Sequence, residues 1–310
     1  MLWRVTASVP APPPLPAGLT HRALTPADAP ATFAVFAAAE KHDTGDVSVE
    51  LEDIEGDWQR PSFDLATQSV GVFDRDDLVA AGEVYRGRRG EASVHPEHRG
   101  RGIGEWLVRW TEDCARRSGG AVVGQSVPAD SSAERLFQAL GYQVGWTSWV
   151  LEVPPGSSIE PQPLPEGYRL RDFVAGQDEE VAFRIIEDAF NEWPDRPAST
   201  LGDWAANTVR RPGFEPWQLR LVEDAEGQPV GAAFTIHSAD FAYVYQLAVR
   251  GDHRGRGLAR SLLVDAFERG RERGLTRCEL STDSRTGALS LYEHVGMVVT
   301  KTYRHWMTDV

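Results

Sequence analysis

The stretch His253-Arg254-Gly255-Arg256-Gly257-Leu258-Ala259 lies between a segment rich in β-branched and aromatic residues and a long amphipathic segment. This order predicts a strand, a glycine-rich turn and the first turn of a helix. Glycine allows a close approach of the backbone to a ligand, and the N–H groups at a helix N-terminus bind anions. The stretch therefore predicts a phosphate site, although a single copy leaves a basic surface turn as the alternative.

A second copy of this stretch, His98-Arg99-Gly100-Arg101-Gly102-Ile103-Gly104, has the same surroundings. The separation of Arg254 from Arg99 is 155 residues (254 − 99), and the same separation maps Phe137 onto Tyr292. Chance does not explain a register that holds from the turn to the last predicted helix without an insertion. The sequence therefore predicts a duplicated α/β unit.

A proline-rich stretch from Pro154 to Pro165 separates the two copies. Such composition is typical of a linker, and the predicted order of elements starts again after it. We expect an irregular N-terminal segment over 1–20, a first half over 21–153, a linker over 154–166 and a second half over 167–310.

Hydrophobic periodicity and turn residues place helices and strands in the same order in both halves. The predicted helices span 25–41, 49–59, 103–117, 131–140, 179–190, 204–210, 258–273 and 287–295. The predicted strands span 21–24, 69–73, 78–86, 91–94, 121–127, 146–153, 168–171, 219–223, 229–237, 243–249, 277–282 and 301–307.

The charge balance is strongly acidic, with a formal net charge of −14 and a pI near 5.0. A surface that binds nucleic acid needs an excess of Lys and Arg, so we expect no nucleic-acid partner. An acidic protein attracts cationic small molecules such as amines, although acidity for the sake of solubility is the simpler alternative.

No apolar stretch approaches the roughly 18 residues that a membrane helix needs, so we expect no membrane partner. The prolines near the N-terminus interrupt what would be the core of a signal peptide. Cys114 and Cys278 have neither zinc-site spacing nor a disulfide framework. We therefore expect a cytoplasmic protein without a metal site.

Each half resembles the GNAT superfamily of N-acetyltransferases. The resemblance rests on residues 93–104 and 247–259, which contain the Arg-x-x-Gly-x-(Gly/Ala) turns, and on residues 288–297 with a weaker copy at 133–142. It implies an α/β (α+β) fold of two tandem acyl-CoA N-acyltransferase domains. Each would be a mixed, splayed sheet flanked by helices.

This resemblance also implies acetyl-CoA as the cofactor. Its pyrophosphate would accept hydrogen bonds from the glycine-rich turn, and its pantetheine arm would lie along the exposed edge of the preceding strand. The cofactor residues expected in the second half are Leu247, Ala248, Val249, Arg254, Gly255, Arg256, Gly257, Leu258, Ala259 and Arg260. Those expected in the first half are Ala92, Ser93, Val94, Arg99, Gly100, Arg101, Gly102, Ile103, Gly104 and Glu105.

The catalytic residues implied by the resemblance lie in the second half. Family members commonly use a tyrosine of the last helix to protonate the departing thiolate, and Tyr292 stands there. The backbone N–H of Leu247 would stabilise the oxyanion. The first half has Phe137 at the equivalent place, which has no proton to give, so we expect that half to be non-catalytic.

The general base is open. Glu279, on the strand before the last helix, is one candidate, and His237 acting through water is another. Both residues have a surface role as the alternative. The fourth strand offers Tyr243 and Tyr245 where a glutamate is expected, and Ser284 with Arg285 replace an asparagine that often supports the cofactor.

The region 190–197 lies where such enzymes build the acceptor pocket, and Glu192, Trp193 and Asp195 are candidates for an amine site. Plain packing is the alternative for the tryptophan. The expected function is acetyl transfer from acetyl-CoA to a primary amine of a small, cationic acceptor, by direct attack in the second half of a monomer or homodimer. The alternative is a non-catalytic acyl-CoA-binding sensor or assembly protein.

Overall fold

A computed structural model describes residues 14–310 except 162, 194–195 and 239. Most of the predicted irregular segment, residues 1–13, therefore lies outside the described residues, and the first strand already begins at Leu19. The first half contains the following elements: β1 (Leu19–Arg22), α1 (Ala29–Thr44), α2 (Leu51–Trp58), α3 (Leu65–Gln68), β2 (Ser69–Asp74), β3 (Asp77–Tyr85), β4 (Arg89–Val94), α4 (Ile103–Arg117), β5 (Val122–Pro128), α5 (Ser132–Ala139) and β6 (Gln143–Glu152).

The second half follows the same order, except that a 3-10 turn at Pro216–Gln218 stands where the first half has α3. It contains β7 (Arg169–Asp172), α6 (Glu179–Phe190), α7 (Leu201–Ala206), β8 (Leu219–Glu223), β9 (Pro229–Ser238), β10 (Phe241–Val249), α8 (Leu258–Arg271), β11 (Arg277–Asp283), α9 (Leu289–His294) and β12 (Val298–Asp309). The predicted helix 204–210 was misplaced, because the Thr200 side chain caps the N–H of Asp203 and starts α7 at Leu201.

All twelve strands form one sheet in the order β1-β2-β3-β4-β5-β12-β6-β11-β10-β9-β8-β7. The last strand of the chain, β12, pairs antiparallel with β5 of the first half. In return, β6 pairs antiparallel with β11 of the second half. The two halves have therefore exchanged their final strands. The domain boundary at residues 154–166 stays a prediction from the sequence. The sheet itself is not divided there, because strands of one half pair with strands of the other.

The two exchanged strands also pair with each other, with Ser148 opposite Tyr303. These two residues are separated by the same 155 positions (303 − 148) as the two glycine-rich turns. Equivalent residues that face each other across an antiparallel pair lie on a twofold axis, so the duplicated halves are related by a pseudo-twofold axis between β6 and β12. Both strands are longer than predicted because each has a partner on both edges.

Helices cover both faces of the sheet. In the second half, Ala233 of β9 packs in the cluster that holds Leu262 and Phe267 of α8. Its neighbour Ala232 packs in the cluster of α6 with Ile186. Successive strand residues point to opposite faces, so α6 and α8 lie on opposite sides. The packing of helices on both faces of the sheet holds the ends of β4 and β10 in place, and the two glycine-rich turns begin at these ends.

Candidate active site

Each glycine-rich turn forms an open concave loop at a helix N-terminus; we call residues 99–105 the first cradle and residues 254–260 the second. Gly102 and Gly257 cap α4 and α8 with φ of 85° and 82°. A Cβ atom added at Gly255 would meet no atom within 4 Å, and one at Gly102 would meet only Pro16 Cγ at 3.7 Å. The N–H groups of the first helical turn have no partner within the helix. Both cradles can accept a pyrophosphate.

The first arginine of each cradle anchors the turn through its side chain. Arg254 donates to both carboxylate oxygens of Glu192, at 2.7 and 2.9 Å, and to the Val249 carbonyl at 2.9 Å. Arg99 repeats this arrangement with Asp43, at 2.6 and 2.9 Å, and with the carbonyl of the strand end. These guanidinium groups hold the shape of the cradle, and the backbone N–H groups are the ones that face a phosphate.

The other arginines of the second cradle contact the segment that precedes β7. Arg256 donates to the Tyr168 hydroxyl, which also lies 2.9 Å from His253 Nδ1. Arg260 donates to the carbonyl of Glu160 at 2.7 Å. The linker region therefore lies against this cradle, a contact that the sequence did not indicate.

The strand that leads into each cradle separates from its parallel neighbour. The two halves differ in how many residues of the two strands pair before they separate. β10 pairs with β11 from Phe241 to Val244, whereas β4 pairs with β5 only at Arg89 opposite Gly124. The register of β10 against β9 shifts between Val244 and Gln246, so Tyr245 is a bulge residue. Strand β4 has no such shift against β3.

The predicted cofactor strand residues Leu247, Ala248 and Val249 follow this bulge and pair with β9 on one side. Their other edge is free of β11. Tyr292 of α9 is partly buried and packs against the same core cluster as Leu247 and Ala259. Burial raises the pKa of the Tyr292 phenol, so it carries its proton at neutral pH.

The first half has no hydroxyl at the equivalent place. Phe137 is 5% exposed and packs with Val108, Val127, Tyr142 and Trp306. In addition, the Gln125 side chain donates to the Ala92 carbonyl at 2.8 Å, on the strand edge expected to meet a pantetheine arm. Sequence reasoning missed this contact, because nothing in the sequence relates residues 125 and 92.

Glu279 is buried, with 2% of its surface exposed, and forms an ion pair with Arg277 Nη2 at 2.5 Å. The same guanidinium also contacts Asp46 at 2.9 Å and Glu152 at 3.3 Å. Burial raises the pKa of Glu279 and the facing cation opposes this shift. The other candidate base, His237, faces Gln218 at 3.3 Å and the ring of Trp217.

A cavity of about 800 Å³ lies where the two halves meet; we call it the central cavity. Glu279 lines it together with Trp149, Tyr243, Tyr245 and Tyr303, and so do Ala92 to Val94 and residues of the first cradle. Tyr292 is absent from its described lining. The structure thus brings Glu279 to the first cradle's cavity and leaves Tyr292 on the α9 side of the second half.

The expected acceptor residues of region 190–197 have other contacts. Glu192 binds Arg254, as described above. Trp193 packs on Phe190, with ring centroids 4.6 Å apart, and lies 5.4 Å from the Arg285 guanidinium. Asp195 lies outside the described residues. This region joins the second cradle to the β11–α9 connection.

The sequence analysis did not single out one carboxylate of the cavity lining, although its position in the sequence could have indicated it. Glu91 lies on β4 with 45% of its side chain exposed, and its nearest cationic group is Arg89 Nη2 at 3.9 Å. Although the side chain is partly exposed to the cavity, the loss of bulk water around it raises the pKa of this carboxyl more than Arg89 lowers it. Its position shortly before the first cradle is the kind of place where a fourth-strand carboxylate is expected.

A buried carboxyl lies on β3, the strand that pairs with β4. Glu83 of β3 is 3% exposed and accepts hydrogen bonds from Trp58 Nε1 at 2.6 Å and from the Tyr85 hydroxyl at 2.7 Å. The Tyr85 hydroxyl also lies 3.1 Å from Asp57, which lines the central cavity. Burial raises the pKa of Glu83 to about 8 despite the two donors.

This raised pKa predicts a specific pH dependence of stability. The folded state binds the Glu83 proton more tightly than the unfolded state, so the stabilisation is complete below the ordinary carboxyl pKa and is lost as the pH rises towards 8. Relative to Glu83→Gln, we expect the wild type to lose about 1.4 kcal/mol of unfolding free energy per pH unit within this window. Urea unfolding of both proteins at pH 5, 6, 7 and 8 measures the difference. A difference that stays constant with pH would contradict the assignment.

A duplicated splayed sheet, a glycine cradle at each helix N-terminus and a free strand edge beside it define an acyl-CoA-binding fold. The profile described as Acetyltransferase (GNAT) family matches residues 179–297, and the one described as Acetyltransferase (GNAT) domain matches residues 68–144. The chain belongs to the GNAT family as a tandem member. It is an N-acetyltransferase, and acetyl-CoA is its cofactor.

The relatives include mycothiol acetyltransferases of bacteria. The one from Thermobispora bispora is 32% identical over 249 residues, which are 77% of this chain and 81% of that protein. The one from Pseudarthrobacter chlorophenolicus is 28% identical over 297 residues, 89% of each chain. From the sequence alone the similarity to mycothiol synthase is distant, because the asparagine of its strand–helix junction is not present.

Solved structures agree with the tandem arrangement. A GCN5-related N-acetyltransferase from Sphaerobacter thermophilus is 31% identical, covers 96% of this chain and 97% of its own, and has a TM-score of 0.72. A tandem GNAT protein from the clavulanic acid biosynthesis pathway has a TM-score of 0.71 at 15% identity, with 94% and 98% covered, and shares the fold. No helix among residues 14–310, the three short gaps aside, is long and apolar enough to cross a membrane.

Proposed function

We propose that the protein transfers an acetyl group from acetyl-CoA to the primary amine of a small acceptor, with the transfer step in the second half. The observation that carries this proposal is the bulge at Tyr245, which precedes the free edge at Leu247. Tyr292 and Leu247 both pack against the core cluster of the second half, which supports placing a protonated phenol and an N–H donor in that half. The first half has neither the bulge nor the phenol.

Amide formation from a thioester requires a neutral amine, a polarised carbonyl and a proton for the departing thiolate. Acetyl-CoA supplies the activated acetyl group when it is bound. The Leu247 N–H would donate to the carbonyl oxygen as negative charge develops there. Tyr292 would give its proton to the thiolate. Glu279 lines the central cavity, which Tyr292 does not line, so Glu279 would take the proton of the amine from the cavity side.

The acceptor would bind in the central cavity, against the second-half side of its wall. Tyr243 and Tyr245 line that wall, and the Tyr243 hydroxyl donates to Ser281 Oγ at 2.7 Å. Most carboxylates of the lining are paired with cations, as Asp43 is with Arg99 and Asp53 with Arg211. This balance favours a polar acceptor with few net charges over the cationic one expected from composition. The mycothiol acetyltransferase relatives support a small, polar molecule.

A thiol-release assay with acetyl-CoA and a panel of amines tests this proposal. The panel should include amino acids, amino sugars, cysteinyl compounds and diamines at pH 7.5. We expect release that depends on at least one amine and a product that carries one acetyl group by mass spectrometry. Tight CoA binding without turnover on any amine would instead favour the alternative of an acyl-CoA sensor.

A further inference from the structure

One cation of the central cavity has no hydrogen-bonding partner among the described residues. This cation is Arg89 of β4, which lines the cavity with 67% of its side chain exposed. The other cations of the described lining each face a carboxylate, in the pairs Arg99–Asp43, Arg211–Asp53 and Lys301–Asp46. A guanidinium carries five N–H donors and keeps its charge in proteins. Arg89 therefore offers unused donors to a molecule that enters the cavity.

The carboxylates nearest to Arg89 do not occupy these donors. Glu91 Oε2 lies 3.9 Å from Arg89 Nη2, which is beyond hydrogen-bond distance. The Asp57 carboxylate also attracts the guanidinium, but it accepts hydrogen bonds from other groups, namely the side chains of Arg60, Tyr85 and Asn207. The positive charge of Arg89 is thus only partly balanced within the cavity.

Arg89 and the candidate base Glu279 lie within reach of the same phenol. Both line the cavity together with Tyr243. Burial raises the pKa of Tyr243 to about 12, the Glu279 carboxylate adds to this shift, and the Arg89 guanidinium opposes it. A single small molecule beside Tyr243 can therefore present one group to the guanidinium and another to the base.

The fold does not require a cation at this position. The equivalent residue of the second half by number is Val244 (89 + 155), which is 4% exposed and belongs to the core cluster of that half. The two halves thus form the same sheet with and without a guanidinium at this place. A role in binding accounts for Arg89 better than a role in folding.

We propose that Arg89 binds a carboxylate of the acceptor, so that the acceptor is an amino acid or another small amine that carries a carboxylate. The planar guanidinium fits both oxygens of a carboxylate at once. An amino acid in its zwitterionic form has no net charge, in agreement with the charge balance of the cavity lining. This inference rests on the proposed function, because it assigns the end of the acceptor opposite to the amine that is acetylated.

Competition between two acceptors in one reaction tests the proposal. The full-length protein receives acetyl-CoA and an equimolar mixture of an L-amino acid and its carboxamide, and mass spectrometry measures the ratio of the two N-acetylated products. Because both amines compete for one enzyme, this ratio gives the ratio of their kcat/KM values. Comparison of each variant with the wild type cancels the difference in intrinsic reactivity between the two amines.

In Arg89→Gln we expect the ratio of acid to carboxamide product to fall about 10- to 100-fold, the usual effect of losing hydrogen bonds between charged groups. Arg89→Lys should lose part of this preference, because it keeps the charge without the planar fork. Arg184→Gln is the matched control: Arg184 of α6 is 69% exposed, pairs with the exposed Glu180, and should change the ratio by less than about twofold. An unchanged ratio in Arg89→Gln would overturn the proposal, and so would an equal fall in Arg184→Gln.

A binding measurement separates a failure of this inference from a failure of the proposed function. Calorimetric titration of the CoA-bound protein with the same amino acids and carboxamides requires no turnover. Amino-acid binding that Arg89→Gln abolishes, without any acetylated product, would support the carboxylate site and overturn the proposed transfer. Turnover of amines that Arg89→Gln leaves unchanged would overturn the carboxylate site alone. Neither binding nor turnover of any compound would overturn both.

Discussion

Tyr292→Phe is expected to lower kcat by about 100-fold, the usual contribution of a positioned general acid, while the affinity for acetyl-CoA stays within twofold. The Tyr292 side chain packs against the same core cluster as Leu247 and Ala259, and its raised pKa keeps it protonated. The substitution removes the proton and leaves the ring, so packing in the second half is preserved. Steady-state thiol release and calorimetric titration with CoA measure the two effects separately.

Tyr142→Phe is the matched control for this prediction. Tyr142 follows α5, and its hydroxyl contacts Glu112 at 3.1 Å, outside both cradles. We expect its loss to leave kcat unchanged. Equal loss of turnover in both variants would point to a general effect on folding, and full activity of Tyr292→Phe would move the transfer step to another residue.

Gly257→Glu is expected to abolish acyl-CoA binding in the second half and with it all amine-dependent turnover. Gly257 caps the N-terminus of α8 at φ 82°, and its neighbour Gly255 has open space where a Cβ atom would lie. A glutamate there would fill the cradle and place a negative charge where a pyrophosphate must bind. Calorimetry with CoA should show one binding site fewer than in the wild type.

The Gly257→Ala variant distinguishes the effect of backbone strain from the effect of filling the cradle with a charged side chain. Alanine carries the same cost of a positive φ, about 1 kcal/mol, and adds no charge. We expect weaker but measurable CoA binding and partial turnover. If alanine were as damaging as glutamate, the left-handed backbone and not the open cradle would be the critical feature.

The local structure was predictable where periodicity and caps decide it. The bounds of α4, α6 and β8 match the prediction, because each has an apolar face or strand run with clear stop signals. The constant separation of Phe137 and Tyr292 predicted the duplication and the difference between the halves. The cradles followed from glycine spacing, and their conformation is the one that spacing requires.

The pairing of the last strands was not predictable from the sequence. After a duplication, β6 and β12 carry equivalent patterns, so nothing local tells β5 which of the two to choose. The sequence also did not predict how far β4 separates from β5, because this separation depends on which strand pairs with the other edge of β5. The sequence placed cofactor residues at both turns, and it did not indicate that the central cavity opens at the first cradle.

The exchange of β6 and β12 makes the order of synthesis matter. The antiparallel neighbour of β5 is β12, residues 298–309, which is synthesised after all the other described strands. Until then the first half presents an unpaired strand edge, which is a site for aggregation or for capture by a chaperone. Neither half can complete its part of the sheet by itself, so both halves finish folding only after β12 has been synthesised.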